Sequence, residues 1–235
     1  MIITIDGPVA TGKSTIAKKL AASIGYIYFD TGAMYRAFTY GLIKHGVSLE
    51  NEADIQEFIK KFDFDIKVKH GEKRYFLGEE DVTDQIRQEE VTRNVSKVAA
   101  HPVVRDLLLN YQRGLAKGVN AVFEGRDMGT VVFPDAYIKI FLSGSPEVRA
   151  RRRYDELITK YPEQSKGLTL EKVLEDINAR DNYDSTREIS PLKKADDAFE
   201  INTSNLSIDE VVYKILEYKD SRKTFFQTRK ELSQG

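Results

Sequence analysis

The sequence predicts an α/β protein in which a parallel sheet is flanked by helices and interrupted by a small antiparallel β insertion. Short apolar runs alternate with amphipathic helical runs through most of the 235 residues, which is the pattern of parallel strands joined by helices. Between about residues 62 and 84, apolar residues instead recur at every second position, as they do in half-buried strands. The length fits one large domain or one domain with an insertion.

The elements before the insertion follow from these two periodicities. Apolar residues 2–5 predict a buried first strand, and the amphipathic run at 15–24 predicts the helix after it. Further along, the sequence predicts a strand at 26–29, a helix at 32–45 ended by Gly46, and a helix at 52–61.

The insertion is predicted to contain three short strands. Phe62, Phe64, Ile66 and Val68 alternate with charged residues, which predicts the first strand. A turn is then expected at His70-Gly71, a second strand at 74–77, and a third at 80–82.

Helices and strands alternate again after the insertion. The predicted elements are helices at 91–98 and 104–115, strands at 121–123, 137–142 and 198–201, and helices that begin at Ser145 and after Ser207. Glu124 to Asp127 is interpreted as a polar turn. Ser145 and the Ser207–Glu210 capping box supply the start signals of the two late helices. The polar tail at 221–235, which holds a Phe225–Phe226 pair, is predicted either as added helix or as a frayed end.

The first strand and helix enclose a phosphate-binding loop. Gly7 and Gly12 permit a tight backbone whose N–H groups converge on phosphate oxygens at a helix N-terminus. Lys13 is expected to point into a solvent-filled site and reach the terminal phosphates, and Ser14 to bind the magnesium ion that accompanies them. The predicted ATP-binding set is Gly7, Pro8, Val9, Ala10, Thr11, Gly12, Lys13, Ser14 and Thr15. The alternative is a glycine-rich turn that only caps a helix.

The composition excludes several classes of partner and of catalytic chemistry. A net charge of −1 gives no overall attraction to nucleic acid or to an anionic membrane. The sequence holds no cysteine, which excludes disulfides and thiol catalysis, and its three histidines lack metal-ligand spacing. No apolar run approaches the length of a membrane span, and the first residues form a core strand and not a signal peptide. We therefore expect a cytoplasmic protein, and a monomer.

Arginine forms a second group of candidate site residues. Its planar guanidinium matches phosphate oxygens in a bidentate fashion. Arg149, Arg152 and Arg153 share one helical face, and Arg180, Asp184 and Arg187 share another. Solvated helix faces and surface ion pairs are the alternative for both groups. Arg126 is less easily explained in that way, because it lies in a glycine-containing turn directly after a buried strand.

Phosphoryl transfer to a phosphate acceptor accounts for this pattern. The transferred group needs cations and accurate positioning more than covalent chemistry. An acceptor phosphate is already an anionic nucleophile, so no general base is required, and the sequence contains no histidine dyad or carboxylate pair that would suggest one.

The residues resemble those of bacterial cytidylate kinases. The resemblance spans residues 2 to about 218, and four segments support it: 7–14, 30–36, 124–134 and 180–192. The stretch Gly125-Arg126-Asp127-Met128-Gly129-Thr130 is the most specific of them. The resemblance implies a P-loop kinase fold with an enlarged region for the nucleoside monophosphate and a short helical lid. It also implies magnesium-dependent transfer of the terminal phosphoryl group of ATP to CMP or dCMP.

The resemblance further implies a role for each matching residue. Arg36, Arg126 and Arg187 would hold the CMP phosphate. Thr31, Arg105 and Asp127 would recognise cytosine, and Ser96, Arg180 and Asp184 would contact the sugar. Arg149, Arg152 and Arg153 would belong to the lid. The expected catalytic residues are Lys13, Arg126, Arg152 and Arg187, and the expected metal ligand is Ser14.

The domain prediction follows the same resemblance. Residues 1–30, 101–148 and 186–218 would form the P-loop core, 31–100 the monophosphate-binding region, 149–185 the lid with a flanking helix, and 219–235 a tail. Two rival functions remain open: a shikimate-type or adenylate-type kinase, and a regulatory module that binds ATP without transferring phosphate to a metabolite.

Overall fold

The computed structural model describes residues 1–69 and 72–232, with side chains as far as Arg222. The strands are β1 Ile2–Asp6, β2 Ile27–Asp30, β3 Phe64–Lys69, β4 Glu72–Leu77, β5 Glu80–Asp81, β6 Ala121–Gly125, β7 Ile138–Ser143 and β8 Phe199–Asn202. The α-helices are α1 Lys13–Ile24, α2 Thr31–Lys44, α3 Glu52–Ile59, α4 Glu89–Val98, α5 Pro102–Leu115, α6 Pro146–Lys160, α7 Leu170–Thr186 and α8 Ile208–Leu232. A 3₁₀ turn at Gln85–Arg87 and a π-helical turn at Met128–Val132 complete the elements.

The chain divides into two compact units. Unit 1 comprises Met1–Phe29, Val119–Asp181 and Leu192–Gly235, and unit 2 comprises Asp30–Gly118 and Asn182–Pro191. This division places α5 in unit 2, whereas the sequence assigned residues 101–118 to the P-loop core. The functional domains named from the sequence remain a prediction.

Unit 1 is built on a five-stranded parallel sheet with the order β2-β6-β1-β7-β8. The central strand β1 pairs with β6 from Ile2–Ala121 to Asp6–Gly125, and with β7 from Ile3–Ile138 to Asp6–Phe141. Ile3 and Ile5 are buried together with apolar residues of α1 and α8. Thr4 and Asp6, which alternate with them, are also buried, as expected for a strand covered on both faces. The predicted α/β fold is confirmed, and the carboxyl end of β1 leads directly into the phosphate loop.

The predicted turn at Glu124 is wrong in part. Strand β6 continues through Glu124 and Gly125, because its pairing with β1 extends to Ile5 and Asp6. Glu124 is 4% exposed and accepts a hydrogen bond from the Tyr28 hydroxyl. Buried pairing therefore outweighs the low strand preference of a glutamate–glycine pair. The π-helical turn that follows was not predicted.

Unit 2 contains the antiparallel sheet that the period-2 pattern predicted. Strand β3 pairs with β4 from Phe64–Leu77 to Lys69–Glu72, and β4 pairs with β5. Aromatic residues hold this sheet against its neighbours: Phe64 stacks on Phe62 and Tyr75, and contacts Tyr111 edge-on. The turn predicted at His70-Gly71 lies outside the described residues.

The late helices begin where their capping residues predicted. Ser145 accepts from the Val148 N–H at 3.4 Å, and the Ser207 hydroxyl donates to Glu210 at 2.8 Å while it accepts from the Glu210 N–H. The final helix runs to Leu232 and so includes most of the polar tail. Within the described part of the chain, every helix is too short or too polar to cross a membrane.

Candidate functional site

The phosphate loop has the tight backbone that its glycines predict. Gly7 has φ +148°, and a Cβ there would lie 2.2 Å from the carbonyl oxygen of Leu142 in β7. Gly12 is left-handed, with φ +86°. Ala10 is also left-handed, with φ 59°, which is unfavourable for a residue with a side chain by roughly 1–2 kcal/mol. The loop is therefore a built and partly strained structure, which is typical of a ligand-binding loop.

Lys13 differs from its predicted position in a solvent-filled site. Its side chain is 7% exposed and folds back on the loop, where Nζ donates to the Pro8 carbonyl at 2.5 Å and to the Thr11 hydroxyl at 3.3 Å. Burial lowers the pKa of Lys13 well below its usual range, and the positive charge of Arg126 lowers it further. The carboxylates of Glu124, Asp181 and Asp6 act in the opposite direction. Two neighbouring cations in a partly buried loop favour the binding of a polyanion.

Asp6, which the sequence analysis missed, connects the phosphate loop with the Arg126 segment. The two oxygens of its carboxylate accept from the N–H groups of Met128 and Gly129 at 2.9 and 2.8 Å. Burial raises the pKa of Asp6 from 3.8 to about 7; the amides of Gly129 and Met128 and the charge of Lys13 oppose that rise, and Asp127 adds to it. A carboxylate at the end of a buried strand, directly before Gly7, was the available sequence signal.

The Arg126–Asp127 segment follows β6 in unit 1. Asp127 is 2% exposed, and its carbonyl accepts from the N–H groups of Val131 and Val132 in the π-helical turn. Arg126 donates to the carbonyl of Gly125 at 3.2 Å. Single π-helical turns occur often at functional sites, and this one fixes the backbone next to both predicted nucleotide-binding residues.

The three predicted lid arginines have different surroundings. Arg149 is 4% exposed, and it binds Asp181 and two backbone carbonyls. Arg152 donates to the hydroxyl and the carbonyl of Thr203 at 3.2 and 2.6 Å, and Arg153 donates to Glu156 at 2.8 Å. A shared helical face therefore does not give the three a shared environment, and Arg149 forms part of the packed interior of unit 1.

In unit 2, two cations that the sequence predicts to bind substrate lie at helix α2, one on the helix and one packed against it. Arg36 on α2 donates to the Thr92 hydroxyl at 2.7 Å and to the Ile86 carbonyl at 3.2 Å. Arg105 on α5 is 6% exposed, donates to the Ala99 carbonyl at 3.1 Å, and lies 5.5 Å from the centre of the Tyr35 ring. Both guanidinium groups are thus oriented by hydrogen bonds to protein oxygens.

Asp30 and Arg87 form an ion pair at the start of α2 that the sequence analysis did not identify. Asp30 caps the helix by accepting from the Ala33 N–H at 2.9 Å, and it pairs with Arg87 at 2.7 Å. Burial acts to raise the pKa of Asp30, but the charge and hydrogen bond of Arg87 hold it below the usual value. Thr31, predicted to recognise cytosine, follows directly and is 2% exposed.

The remaining predicted substrate residues lie on α4 and at the end of α7. Asp184 is 3% exposed, so its alternative interpretation as a surface partner of Arg180 is wrong. Arg187 donates from Nε and Nη2 to the Ser190 carbonyl, at 2.8 and 2.5 Å. Arg180 and Ser96 are half-buried.

The metal-binding capacity of the loop is modest. Among the described residues, no group of three or more histidine or acidic side chains could enclose an ion. The Ser14 hydroxyl is exposed at the first turn of α1. Mg²⁺ is typically bound by one or two protein oxygens together with substrate phosphates and water, and this donor set fits that mode.

Comparison with known proteins identifies the family. The cytidylate kinase family profile matches residues 3–221. The chain is 66% identical to the cytidylate kinase of Protochlamydia amoebophila over 95% of this chain and 98% of that protein. It is also 46% identical to the cytidylate kinase of Halalkalibacterium halodurans, over 94% and 98% of the two chains. The protein with this phosphate loop and this Arg126–Asp127 segment therefore belongs to the cytidylate kinase family.

Proposed function

We propose that this protein transfers the terminal phosphoryl group of ATP to CMP, and also to dCMP, which yields ADP and the corresponding diphosphate. The observation that carries the proposal is the 66% identity to a cytidylate kinase over nearly the whole length of both chains. The rival assignments to a shikimate-type or adenylate-type kinase, or to a regulatory module, have no comparable support.

The ATP side of the proposal rests on the phosphate loop of unit 1. The loop amides and the N-terminus of α1 would receive the phosphates, as helix N-termini commonly do. On binding, phosphate oxygens would replace the Pro8 carbonyl and Thr11 hydroxyl as partners of Lys13. The nearby Arg126 would add a second cation to the charge that develops during transfer.

We propose Mg²⁺ as the metal that accompanies ATP, with Ser14 as its protein ligand. When bound, the ion neutralises phosphate charge and orients the transferred group. The exposed Ser14 hydroxyl and the lack of a carboxylate cage among the described residues agree with a metal held mainly by the nucleotide.

The acceptor side of the proposal assigns each residue by itself, from its match to the family. Arg36, Arg126 and Arg187 would bind the CMP phosphate, since guanidinium groups match its oxygens. Arg105, Thr31 and Asp127 would recognise cytosine, because a buried carboxylate accepts from the exocyclic amine. Ser96, Arg180 and Asp184 would bind the sugar.

The chemistry requires positioning and positive charge but no proton abstraction. A phosphate oxygen of CMP attacks as an anion, so the residues around it need only hold it in line and stabilise negative charge. Among the proposed catalytic residues, Arg152 has its guanidinium bound to the hydroxyl and the carbonyl of Thr203. It would have to leave Thr203 to act on the transferred phosphate.

A coupled assay of ADP release tests the function. With ATP and Mg²⁺, we expect CMP to be the best acceptor and dCMP to be used, and we expect AMP and shikimate to be poor. The Asp127 carboxylate, 2% exposed, would meet the amine donor of cytosine, whereas uracil would present a carbonyl oxygen there and be poorly matched.

Each rival predicts a different result in that assay. Turnover with AMP or shikimate and none with CMP would replace the assignment with another kinase. ATP binding without acceptor-dependent turnover would indicate a regulatory module. We further propose a cytoplasmic, monomeric enzyme, which fractionation and size-exclusion chromatography with light scattering would test.

A further inference from the structure

The phosphate loop is held through both backbone polar groups of a single residue, Val9. The Val9 N–H donates to Oδ1 of Asp181 at 3.0 Å, and the Val9 carbonyl accepts from Nη1 of Arg149 at 2.9 Å. The same Nη1 pairs with Oδ2 of Asp181 at 2.5 Å. Arg149 Nε also donates to the Gly144 carbonyl at 2.9 Å. All of these groups belong to unit 1. We name Asp181, Arg149 and the Val9 backbone the Val9 clamp.

The clamp is a buried and directional arrangement. The Arg149 and Asp181 side chains are 5% and 16% exposed. A charged pair this buried is stable only when its remaining donors and acceptors are satisfied, and here the loop backbone and Gly144 provide that satisfaction. By contrast, the side chains of the surface ion pair between Lys172 and Asp176 on α7 are 59% and 62% exposed.

The residue after Val9 explains why a clamp is needed. Ala10 has φ 59°, a conformation that a non-glycine residue holds only when its surroundings enforce it. Val9 and Ala10 also pack against a small apolar cluster centred on Ala150, Val173 and Ile177. Helices α6 and α7 thus fix the loop on one side by packing and on the other by hydrogen bonds.

We propose that Asp181 and Arg149 are positioning residues for the phosphate loop, which keep its amides in the geometry that receives the phosphates of ATP. This inference rests on the proposed function only in naming ATP as the ligand. Neither residue is assigned contact with the transferred phosphate. A loop that is already ordered before binding loses less conformational entropy when the nucleotide binds.

Binding of ADP with Mg²⁺, measured by calorimetry well below the melting temperature, is the primary test. Asp181→Ala and Arg149→Ala are each expected to weaken ADP binding about 10- to 150-fold, the range for loss of a charged hydrogen bond. Because the two side chains pair with each other and bind the same residue, the double variant should bind ADP nearly as well as the weaker-binding single variant. In kinetics, KM for ATP should rise and KM for CMP should stay within twofold.

Hydrogen exchange of the loop peptides reports local order in the loop and distinguishes it from a change in the global stability of the protein. In Asp181→Asn, which keeps the side-chain volume and loses the charge, peptides covering residues 7–14 should exchange faster. Peptides from β7 and α8 should be unchanged. This variant also serves if the alanine variants fail to fold. Asp176→Asn on the same helix and Arg151→Lys on α6 are matched controls, since both residues are exposed, and both should behave as wild type.

Three results would overturn the proposal: ADP affinity within twofold of wild type in Asp181→Ala, unchanged exchange at residues 7–14 in Asp181→Asn, or additive effects of the two alanine substitutions. A fall in melting temperature without loss of ADP affinity would likewise show a merely structural pair. The proposed function fails separately, if wild type binds ADP normally but does not phosphorylate CMP.

Discussion

At the scale of single residues, the structure changes the expected consequence of removing Lys13. The ammonium group is buried beside Arg126, so its charge is unfavourable in the empty protein. Lys13→Met should therefore melt at the same temperature as wild type or higher. Turnover should fall roughly 10²-fold or more, because a cation at the transferred phosphate is lost.

Thermal unfolding and a CMP-dependent turnover assay measure the two effects. Lys18→Met is the matched control, since Lys18 is exposed on the same helix and lies over the Tyr28 ring. It should keep wild-type turnover. Full activity in Lys13→Met would show that the loop does not act on the phosphates through this side chain.

Asp6 should make stability depend on pH. Its pKa is raised from 3.8 to about 7 in the folded protein, so the folded state binds more protons than the unfolded state between these values. The contribution of Asp6 to the free energy of unfolding is therefore fully present below about pH 4 and is lost as the pH rises towards 7. Three pKa units correspond to about 4 kcal/mol at most.

Comparison with Asp6→Asn isolates this contribution. Asparagine loses one of the two amide hydrogen bonds with Met128 and Gly129 at every pH, which gives a constant offset, but it does not titrate. The difference in unfolding free energy between wild type and Asp6→Asn should therefore shift against wild type from pH 4.5 to 7.5. If the difference in unfolding free energy between the two proteins stays constant across this pH range, the raised pKa of Asp6 is contradicted.

At the scale of elements, the close approach of the phosphate loop to β7 gives a further prediction. In Gly7→Ala, the new Cβ would meet the Leu142 carbonyl oxygen at 2.2 Å in a backbone conformation that alanine avoids. Backbone cannot yield as a side-chain tip can, so we expect destabilisation of about 3 kcal/mol or more. Chemical denaturation measures it.

Gly114→Ala is the matched control for that substitution. Gly114 lies within α5, and a Cβ there would meet no heavy atom within 4 Å. Alanine in a helix is more favourable than glycine by about 0.5–1 kcal/mol, so this variant should be more stable than wild type. A Gly7→Ala protein as stable as wild type would mean that the loop does not press against β7.

The secondary-structure elements also show which features the local sequence predicts and which it does not. The approximate positions of the strands, the helix starts at Ser145 and Ser207, and the period-2 pattern of the antiparallel sheet follow from residues close together in the chain. The continuation of β6 through Glu124 depends on its pairing with β1. The Asp6 contacts span 122 and 123 residues, and that between Asp181 and Val9 spans 172. No local periodicity reports such contacts, which is why these carboxylates were missed.

At the scale of the whole molecule, the two substrates can be tested separately, because different residues are proposed to bind ATP and CMP. The phosphate loop belongs to unit 1 and Asp184 to unit 2. If Asp184 accepts from a sugar hydroxyl of CMP, Asp184→Ala should lower kcat/KM for CMP roughly 10- to 150-fold, the range for a hydrogen bond to a charged group. Affinity for ATP should barely change.

Burial adds a stability effect that a surface position would not have. An exposed partner of Arg180 would contribute at most about 0.5 kcal/mol, whereas loss of a carboxylate that is 3% exposed should cost about 1–3 kcal/mol. The melting temperature of Asp184→Ala should therefore fall, so kinetics are compared at a temperature where both proteins are folded.

Glu175→Ala on α7 is the control, because Glu175 is 72% exposed, and it should leave both the melting temperature and the CMP kinetics unchanged. If Asp184→Ala melts lower but keeps its CMP kinetics, Asp184 supports the fold alone, and the sugar-binding roles proposed for Arg180 and Ser96 lose their main support.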